Sequence, residues 1–256
     1  MRTTQEYRAY FKEDEKEYRQ KEPFSASGVG SLTHKEESMS ILRVENVSFS
    51  YIKGRQVLKN VSCSFETGKM YALIGKSGAG KSTLLSLLAG LDVPNEGDVL
   101  FEGVSTKNID RNKYRRESVS VIYQDFSLFP GLTVLENIMY PMELAHINGE
   151  KAKAEAKTLA AKVALPENLL DRFPREISGG EQQRVAVARG LSLNRCLLLA
   201  DEPTGNLDSE NSKGVIDLLS DLAHNDNKCI VVVTHDPLVT GRADIVYKIN
   251  DGIVTE

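Results

Sequence analysis

Apolar residues follow two rhythms along this chain. Residues 41–49 and 57–65 alternate apolar and polar side chains, the two-residue period of strands with one buried face. Residues 70–74, 118–123, 196–200 and 229–234 are short apolar runs, the last with three successive valines, as expected of strands buried on both faces. Residues 245–249 predict a final strand before an Asp251-Gly252 turn. Helical segments fall at 81–89 and around Leu218 and Leu219. Strand and helix in alternation predict an α/β domain on a mostly parallel sheet covered by helices. From Asp125 to Ile177 the pattern turns mainly helical, with the Ala-rich stretch 150–165 the clearest case. This predicts a helical subdomain, at about 125–180, inserted into a domain spanning 39–256.

Residues 1–38 stand apart. Lys12-Glu13-Asp14-Glu15-Lys16-Glu17 is a dense mixed-charge run, and a Ser/Gly-rich stretch follows from Ser25 to Ser31. Tyr7, Phe11 and Tyr18 fall on one helical face, compatible with a short amphipathic helix; the composition reads as a disordered extension. Met39 directly precedes the patterned domain, so Met1 and Met39 both fit as its start.

Composition narrows the class. With 256 residues, 41% apolar and 27% charged, the chain has the make-up of a globular protein with room for one core and one subdomain. A net charge of −4 argues against broad attraction to nucleic acid. Cys63, Cys196 and Cys229 are scattered, without CxxC spacing. They read as small core residues in a reducing compartment, not as zinc ligands or a disulfide framework. No apolar stretch has the length of a bilayer span, and the N-terminus carries no apolar segment of signal-peptide type. The expectation is a cytoplasmic protein without direct membrane insertion. Work at a membrane would need a second polypeptide to supply the span.

Three motifs carry chemistry. Gly75-Lys76-Ser77-Gly78-Ala79-Gly80-Lys81-Ser82 fits G-x-x-x-x-G-K-[ST], and Thr83 follows. A predicted strand precedes it and a predicted helix follows it. Backbone N–H groups of such a loop reach phosphate oxygens, Lys81 adds a cation, the Ser82 hydroxyl ligates Mg²⁺, and the helix N-terminus favours anions. Asp201 and Glu202 end the apolar run at 196–200, at the strand end where open α/β sheets bind ligands. Alone, that acidic pair reads equally as a solvated loop or a helix cap. With a phosphate loop upstream, Asp201 becomes a holder of the Mg²⁺ shell and Glu202 the base that polarises the attacking water. Ser178-Gly179-Gly180-Glu181-Gln182-Gln183-Arg184 is the third. Ser178-x-x-Glu181 is a capping box, and the helix it opens presents N–H groups and a hydroxyl to an anion, so a structural and a functional reading hold together.

In this order the three motifs resemble the ATP-binding subunit of an ABC transporter, over about residues 41–252. The resemblance implies a P-loop NTPase fold with a mostly parallel core sheet, an N-terminal antiparallel β part and an inserted helical subdomain. It implies ATP and Mg²⁺ as cofactors, and two copies closing head to tail on two ATP molecules. Ser178, Gly179 and Gly180 would complete the site of the opposite subunit; Ile177 and Glu181 depart from the common Leu-Ser-Gly-Gly-Gln pattern, the Glu in a manner familiar among exporters. Gln124, after the apolar run ending at Tyr123, would link Mg²⁺ to the helical subdomain. His235, after Thr234, would contact the γ-phosphate, and Tyr51 would stack on adenine or else pack in the core. Gly205-Asn206-Leu207-Asp208 would pass signals between the two sites.

The string 201–208 with Glu181-Gln182-Gln183 is most similar to the branch of macrolide-export, lipoprotein-release and antimicrobial-peptide-export ATPases and their cell-division relative. The implied function is ATP hydrolysis that powers a separate membrane permease, an exporter of peptides, lipoproteins or drugs, from the inner face of the cell membrane. Leu128-Phe129-Pro130 is either the docking surface for that permease or ordinary subdomain core. A regulatory ABC ATPase of a membrane complex without transport, of the cell-division type, would carry the same motifs. A soluble ABC ATPase of DNA repair or ribosomes would have a long coiled-coil insertion or two ATP domains, and this chain has neither.

Overall fold

The computed structural model describes residues 40–256. The predicted extension at 1–38, with Tyr7, Phe11 and Tyr18, lies outside the described residues.

Strand β3 (Met70–Ile74) explains why its sequence is apolar throughout. Met70 and Ala72 face one core cluster, Tyr71 and Leu73 the other. The same division recurs on β7 (Leu197–Asp201), where Leu198 and Ala200 oppose Leu197 and Leu199. It recurs on β8 (Cys229–Val233), where Ile230 and Val232 oppose Cys229, Val231 and Val233. A sheet packed on both faces leaves no polar alternation to read.

These strands belong to a six-stranded sheet of order β10-β9-β3-β8-β7-β6, with β6 at Val119–Ile122, β9 at Ile245–Asn250 and β10 at Ile253–Thr255. The β9–β3, β3–β8, β8–β7 and β7–β6 pairs are parallel, and β10 pairs antiparallel with β9. A second, four-stranded antiparallel sheet has order β2-β1-β4-β5, from β1 (Leu42–Phe49), β2 (Leu58–Phe65), β4 (Glu96–Phe101) and β5 (Val104–Ser105). The apolar residues of β4 are bunched in Val99-Leu100-Phe101, and β5 and β10 are only two and three residues long, so none of the three gives a period. The alternation predicted for β1 and β2 is also imperfect, because register shifts at Val44/Val47 and Val47/Phe49 put successive apolar residues on one face.

Helix α1 (Lys81–Leu88) lies in the cluster between the two sheets through Leu84, Leu85, Leu87 and Leu88. Helix α2 (Arg111–Glu117) precedes β6 and adds buried Tyr114. Between β6 and β7 the chain forms helices: α3 (Val134–Leu144), α4 (Gly149–Lys162) and α5 (Gly179–Leu191), with short 3₁₀ turns at Glu167–Leu169 and Pro174–Glu176. Their apolar faces join the cluster on the far side of the six-stranded sheet, together with α6 (Ser209–His224). The four-residue α7 (Pro237–Thr240) follows β8. Of the cysteines, Cys229 is buried as expected, whereas Cys63 and Cys196 are only partly covered; all three are free thiols. No helix among the described residues is long and apolar enough to cross a membrane.

Candidate functional site

Parallel strands bring their carboxyl ends to one edge. Leu73 and Asp201 both pair with Val233, and Ile122 pairs with Ala200. The loop after β3, the acidic pair ending β7, the His235 segment after β8 and Gln124 after β6 therefore leave the sheet on the same side. Backbone bonds fix the exits: Thr234 N donates to Leu73 O at 3.1 Å and Glu202 N to Val233 O at 2.9 Å.

The loop's glycines answer to different demands. A Cβ on Gly75 would stand 2.2 Å from the Ile249 carbonyl of β9, and one on Gly80 would stand 2.8 Å from Leu58 Cδ2 of β2. Gly78 meets nothing within 4 Å but has φ +76°, the left-handed region glycine adopts freely. Lys81 Nζ donates to Gly75 O at 2.7 Å and Lys76 O at 3.0 Å, which seats the ammonium against the loop. Helix α1 starts from Gly80 with no side-chain cap and no acidic residue in its first turn, so its leading N–H groups remain available to an anion. Lys76, Ser77 and Gly78 are exposed on the same loop, with Ala79 half-buried beside them.

Ser82 Oγ donates to Asp201 Oδ2 at 2.9 Å, closing the gap between α1 and β7. Burial pushes the Asp201 carboxyl above the usual range and neighbouring Glu202 adds to that, while the Ser82 hydroxyl and the Lys81 charge act against it. A carboxylate so placed is stabilised by a bound cation. Hydroxyl and carboxylate oxygens are the hard donors that Mg²⁺ takes, so this pair fits that ion. Gln124 is exposed and forms no hydrogen bond within the described residues.

Glu202 has a left-handed backbone, φ +49°, and is 9% exposed. Its Oε1 meets His235 Nδ1 at 2.8 Å. Its other oxygen, Oε2, is buried and has no hydrogen-bond partner among the described residues. A buried carboxylate oxygen without a donor is costly, and a water molecule is the donor a general base requires. The His235 side chain is 81% exposed, so it joins the buried base to the open rim.

Tyr51 is 62% exposed, packs edge-on to Phe49 at 4.8 Å, and points its hydroxyl toward Thr83 Oγ1 at 3.4 Å. Of the two readings open in the sequence, core packing is excluded by this exposure, and the ring stands beside α1. Ser178 caps α5 as the sequence predicts. Its Oγ accepts from Glu181 N at 3.3 Å, while Ser178 N and Oγ donate to Glu181 Oε2 at 2.7 and 2.8 Å. Those bonds hold the Glu181 carboxyl below its ordinary range. A Cβ on Gly179 would meet nothing within 4 Å, so no neighbour among the described residues requires glycine there; a Cβ on Gly180 would stand 3.3 Å from Asn206 O. No hydrogen bond or ion pair among the described residues joins 178–184 to 75–82.

Sequence reasoning missed several links in and around the site. Thr204 Oγ1 donates to Asp236 Oδ2 at 3.1 Å, tying the segment after Glu202 to the one after His235. Arg189 donates to the Phe126 and Ser127 carbonyls, just after Gln124. Neither partner shows in a local pattern. Leu128 packs on the core of the helical block, Phe129 lies tilted against Tyr140 with ring centres 4.5 Å apart, and Pro130 is exposed.

Comparison with known proteins places this geometry among others. The family model described as ABC transporter matches residues 58–205. An ABC transporter ATP-binding protein of Mycobacterium tuberculosis is 43% identical over 218 residues, covering 83% of this chain and 88% of its own length. The lipoprotein-releasing system ATP-binding protein LolD of Saccharophagus degradans is 38% identical, covering 86% of this chain and 98% of its own. Among solved structures, the dimeric post-hydrolysis state of the ATP-binding cassette MJ0796, bound to ADP and Pi, superposes with a TM-score of 0.80 at 35% identity. It covers 84% of this chain and 97% of that one.

Proposed function

This chain belongs to the ABC transporter ATP-binding family, whose members hydrolyse ATP to power transport, and from that premise we propose that it drives a separate membrane permease exporting lipoproteins, peptides or drugs. The observation that carries the chemistry is the convergence of Ser82, Asp201, Glu202 and His235 at one sheet edge, beside a loop that seats Lys81. Lys81 and the N–H groups of residues 75–83 hold the phosphates; Tyr51 offers its exposed ring to the base. Ser82 and Asp201, with Gln124, hold Mg²⁺, which supplies charge neutralisation on the phosphates. Glu202 orients a water through its unpartnered oxygen and takes its proton, while His235 bridges from Glu202 toward the γ-phosphate.

Two chains close on two ATP molecules, each lending Ser178, Gly179 and Gly180 to the other's site. The open space around Gly179 and the lack of any bond between 178–184 and 75–82 support that arrangement. The dimeric cassette with ADP and Pi supports it independently. The export reading is supported by relatives named for lipoprotein release.

Glu202→Gln in the full chain tests the whole reading. It keeps ATP binding and loses about 10²–10⁴-fold in turnover, the usual weight of a general base. Isolated from native membranes in Mg-ATP, the variant emerges as an ATP-bound dimer together with a multi-span membrane protein. Wild-type turnover removes Glu202 from the chemistry; a trapped dimer that repeatedly brings only soluble partners removes the permease.

A further inference from the structure

The segment between β6 and α3 is held in an unusual conformation by a residue with no role so far. Phe126 and Ser127 both have left-handed backbones, φ 60° and 46°. Adjacent non-glycine residues keep such angles only when their surroundings impose them. Local bonds begin the turn, with Ser127 N and Oγ donating to Asp125 O and Oδ1, each at 2.6 Å, and Arg189, in the last turns of α5, clamps it: Nη1 donates to Ser127 O at 2.7 Å and Nη2 to Phe126 O at 2.8 Å. Its guanidinium also lies 5.8 Å from the centre of the Phe129 ring. Burial pulls Arg189 below the usual arginine range, with Tyr123 and Asp125 nearby offsetting part of the effect. Among the described residues it forms no ion pair with a carboxylate. Giving one nitrogen of a planar group to each of two successive main-chain carbonyls uses the fork geometry of arginine, which the single ammonium of lysine does not reproduce.

The rest of the segment is equally fixed. Asn137 of α3 is fully buried and donates to Phe129 O, Leu132 O and Thr133 O at 3.1, 3.0 and 2.9 Å, while accepting from Phe129 N at 2.8 Å. On the β6 side, a Cβ on Gly190 would stand 2.8 Å from Ile122 Cγ1, so the end of α5 lies directly against the strand that leads to Gln124. Gln124 is two residues before Phe126, and Ser178 caps the opposite end of α5, about 16 Å away along the helix axis.

We propose that Arg189 is a positioning residue for ATP hydrolysis, which sets the placement of Gln124 and ties it to the helix that presents Ser178. This rests on the roles given above to Gln124 and Ser178. One rigid helix then touches two nucleotides, the chain's own through the Arg189-held segment and the partner's through Ser178. Displacement at one end is felt at the other, because the guanidinium fork holds the backbone next to Gln124 rather than a mobile side chain.

The test uses the full chain with Arg189→Lys and Arg189→Ala, measuring nucleotide affinity by fluorescent-ATP titration and turnover at saturating Mg-ATP. Lysine keeps the charge and the stem but not the fork. Both variants should bind ATP within about twofold of wild type and lose about tenfold or more in kcat, the signature of an interaction needed in the transition state. Free guanidinium ion should restore part of the kcat of Arg189→Ala and none of that of Glu202→Gln. A merely structural role would lower Tm and ATP affinity together with kcat, and guanidinium would not restore turnover. Wild-type kcat in Arg189→Lys overturns the proposal; if Arg189→Ala does not fold, Arg189→Lys alone decides. Should Glu202→Gln be inert while Arg189→Lys turns over normally, this inference fails and the site reading stands. Should Glu202→Gln itself turn over normally, the site reading fails first.

Discussion

At the scale of single residues, the site separates groups that hold the fold from groups that wait for a ligand. Gly75 is required by the main chain of β9, with which any side chain would collide, and Gly80 by its φ of +109° beside Leu58 and the Val57 carbonyl, whereas Gly179 has no such neighbour among the described residues. Lys81 belongs to the waiting groups. Among the described residues its ammonium bonds only loop carbonyls, so its removal costs the fold two hydrogen bonds and, on the proposed reading, costs bound phosphate its principal point charge. Lys81→Ala is expected to fold and to weaken ATP binding by about tenfold or more, the loss of a charge-assisted contact of about 1.5–3 kcal/mol. Filter binding with labelled ATP checks this, and unchanged affinity and turnover would take Lys81 out of the site. The motif around Lys81 was legible residue by residue because phosphate chemistry restricts its spacing. The contact of Glu202 with His235 was not, since 33 residues separate them and only the β7–β8 pairing brings them together.

At the scale of elements, α5 shows how one local signal serves two purposes. Its capping box is visible in the sequence, and the structure forms both reciprocal bonds. The Glu181 carboxyl accepts from the Ser178 N–H and hydroxyl, which favours its charged form and lowers its pKa. A group depressed in the folded state contributes stability above its unfolded pKa and loses it as pH falls through the folded one. Glu181→Gln keeps the capping geometry without the charge. The wild-type chain should therefore have the higher Tm at neutral pH, and the two should converge on acidification below the ordinary glutamate value of 4.5. Melting curves across that range measure it; a difference that is constant with pH would deny the charge any part in the cap. The opposite end of the same helix gave no such sign. The partners of Arg189 are main-chain carbonyls 62 and 63 residues away, and a carbonyl leaves no trace in sequence.

At the scale of the whole molecule, the proposed reading puts Lys81 and Ser178 of one chain in different sites. Each should act on the same nucleotide from different subunits. Lys81→Ala alone and Ser178→Arg alone then damage both sites of a homodimer. Mixed together they form heterodimers in which one site carries both lesions and the other carries none. Nucleotide occlusion, measured per dimer with the permease present, should rise to one site per heterodimer. If both residues acted within one chain, every site would stay lesioned; occlusion no higher than in either parent, with heterodimers demonstrated, would end the head-to-tail reading. Occlusion is the deciding quantity because coupling between sites can hold turnover down even when one site is whole.

The sequence by itself determined the alternating α/β class, the phosphate loop, the acidic pair and the capped helix. Each is a local pattern in which spacing alone carries the physics: strand period, loop closure on an anion, i to i+3 capping. It did not determine β4, whose apolar residues are bunched at its end in Val99-Leu100-Phe101, nor β5 and β10, which are too short to show a period. Nor did it decide which glycines of the loop serve the fold, that Glu202 keeps one oxygen unpartnered beside His235, or that Arg189 grips the segment after Gln124. Those are decided where distant segments meet, by the parallel order β3-β8-β7-β6 and by the packing of α5 on β6. Burial there fixes which polar atoms find partners within the chain and which are left for a ligand.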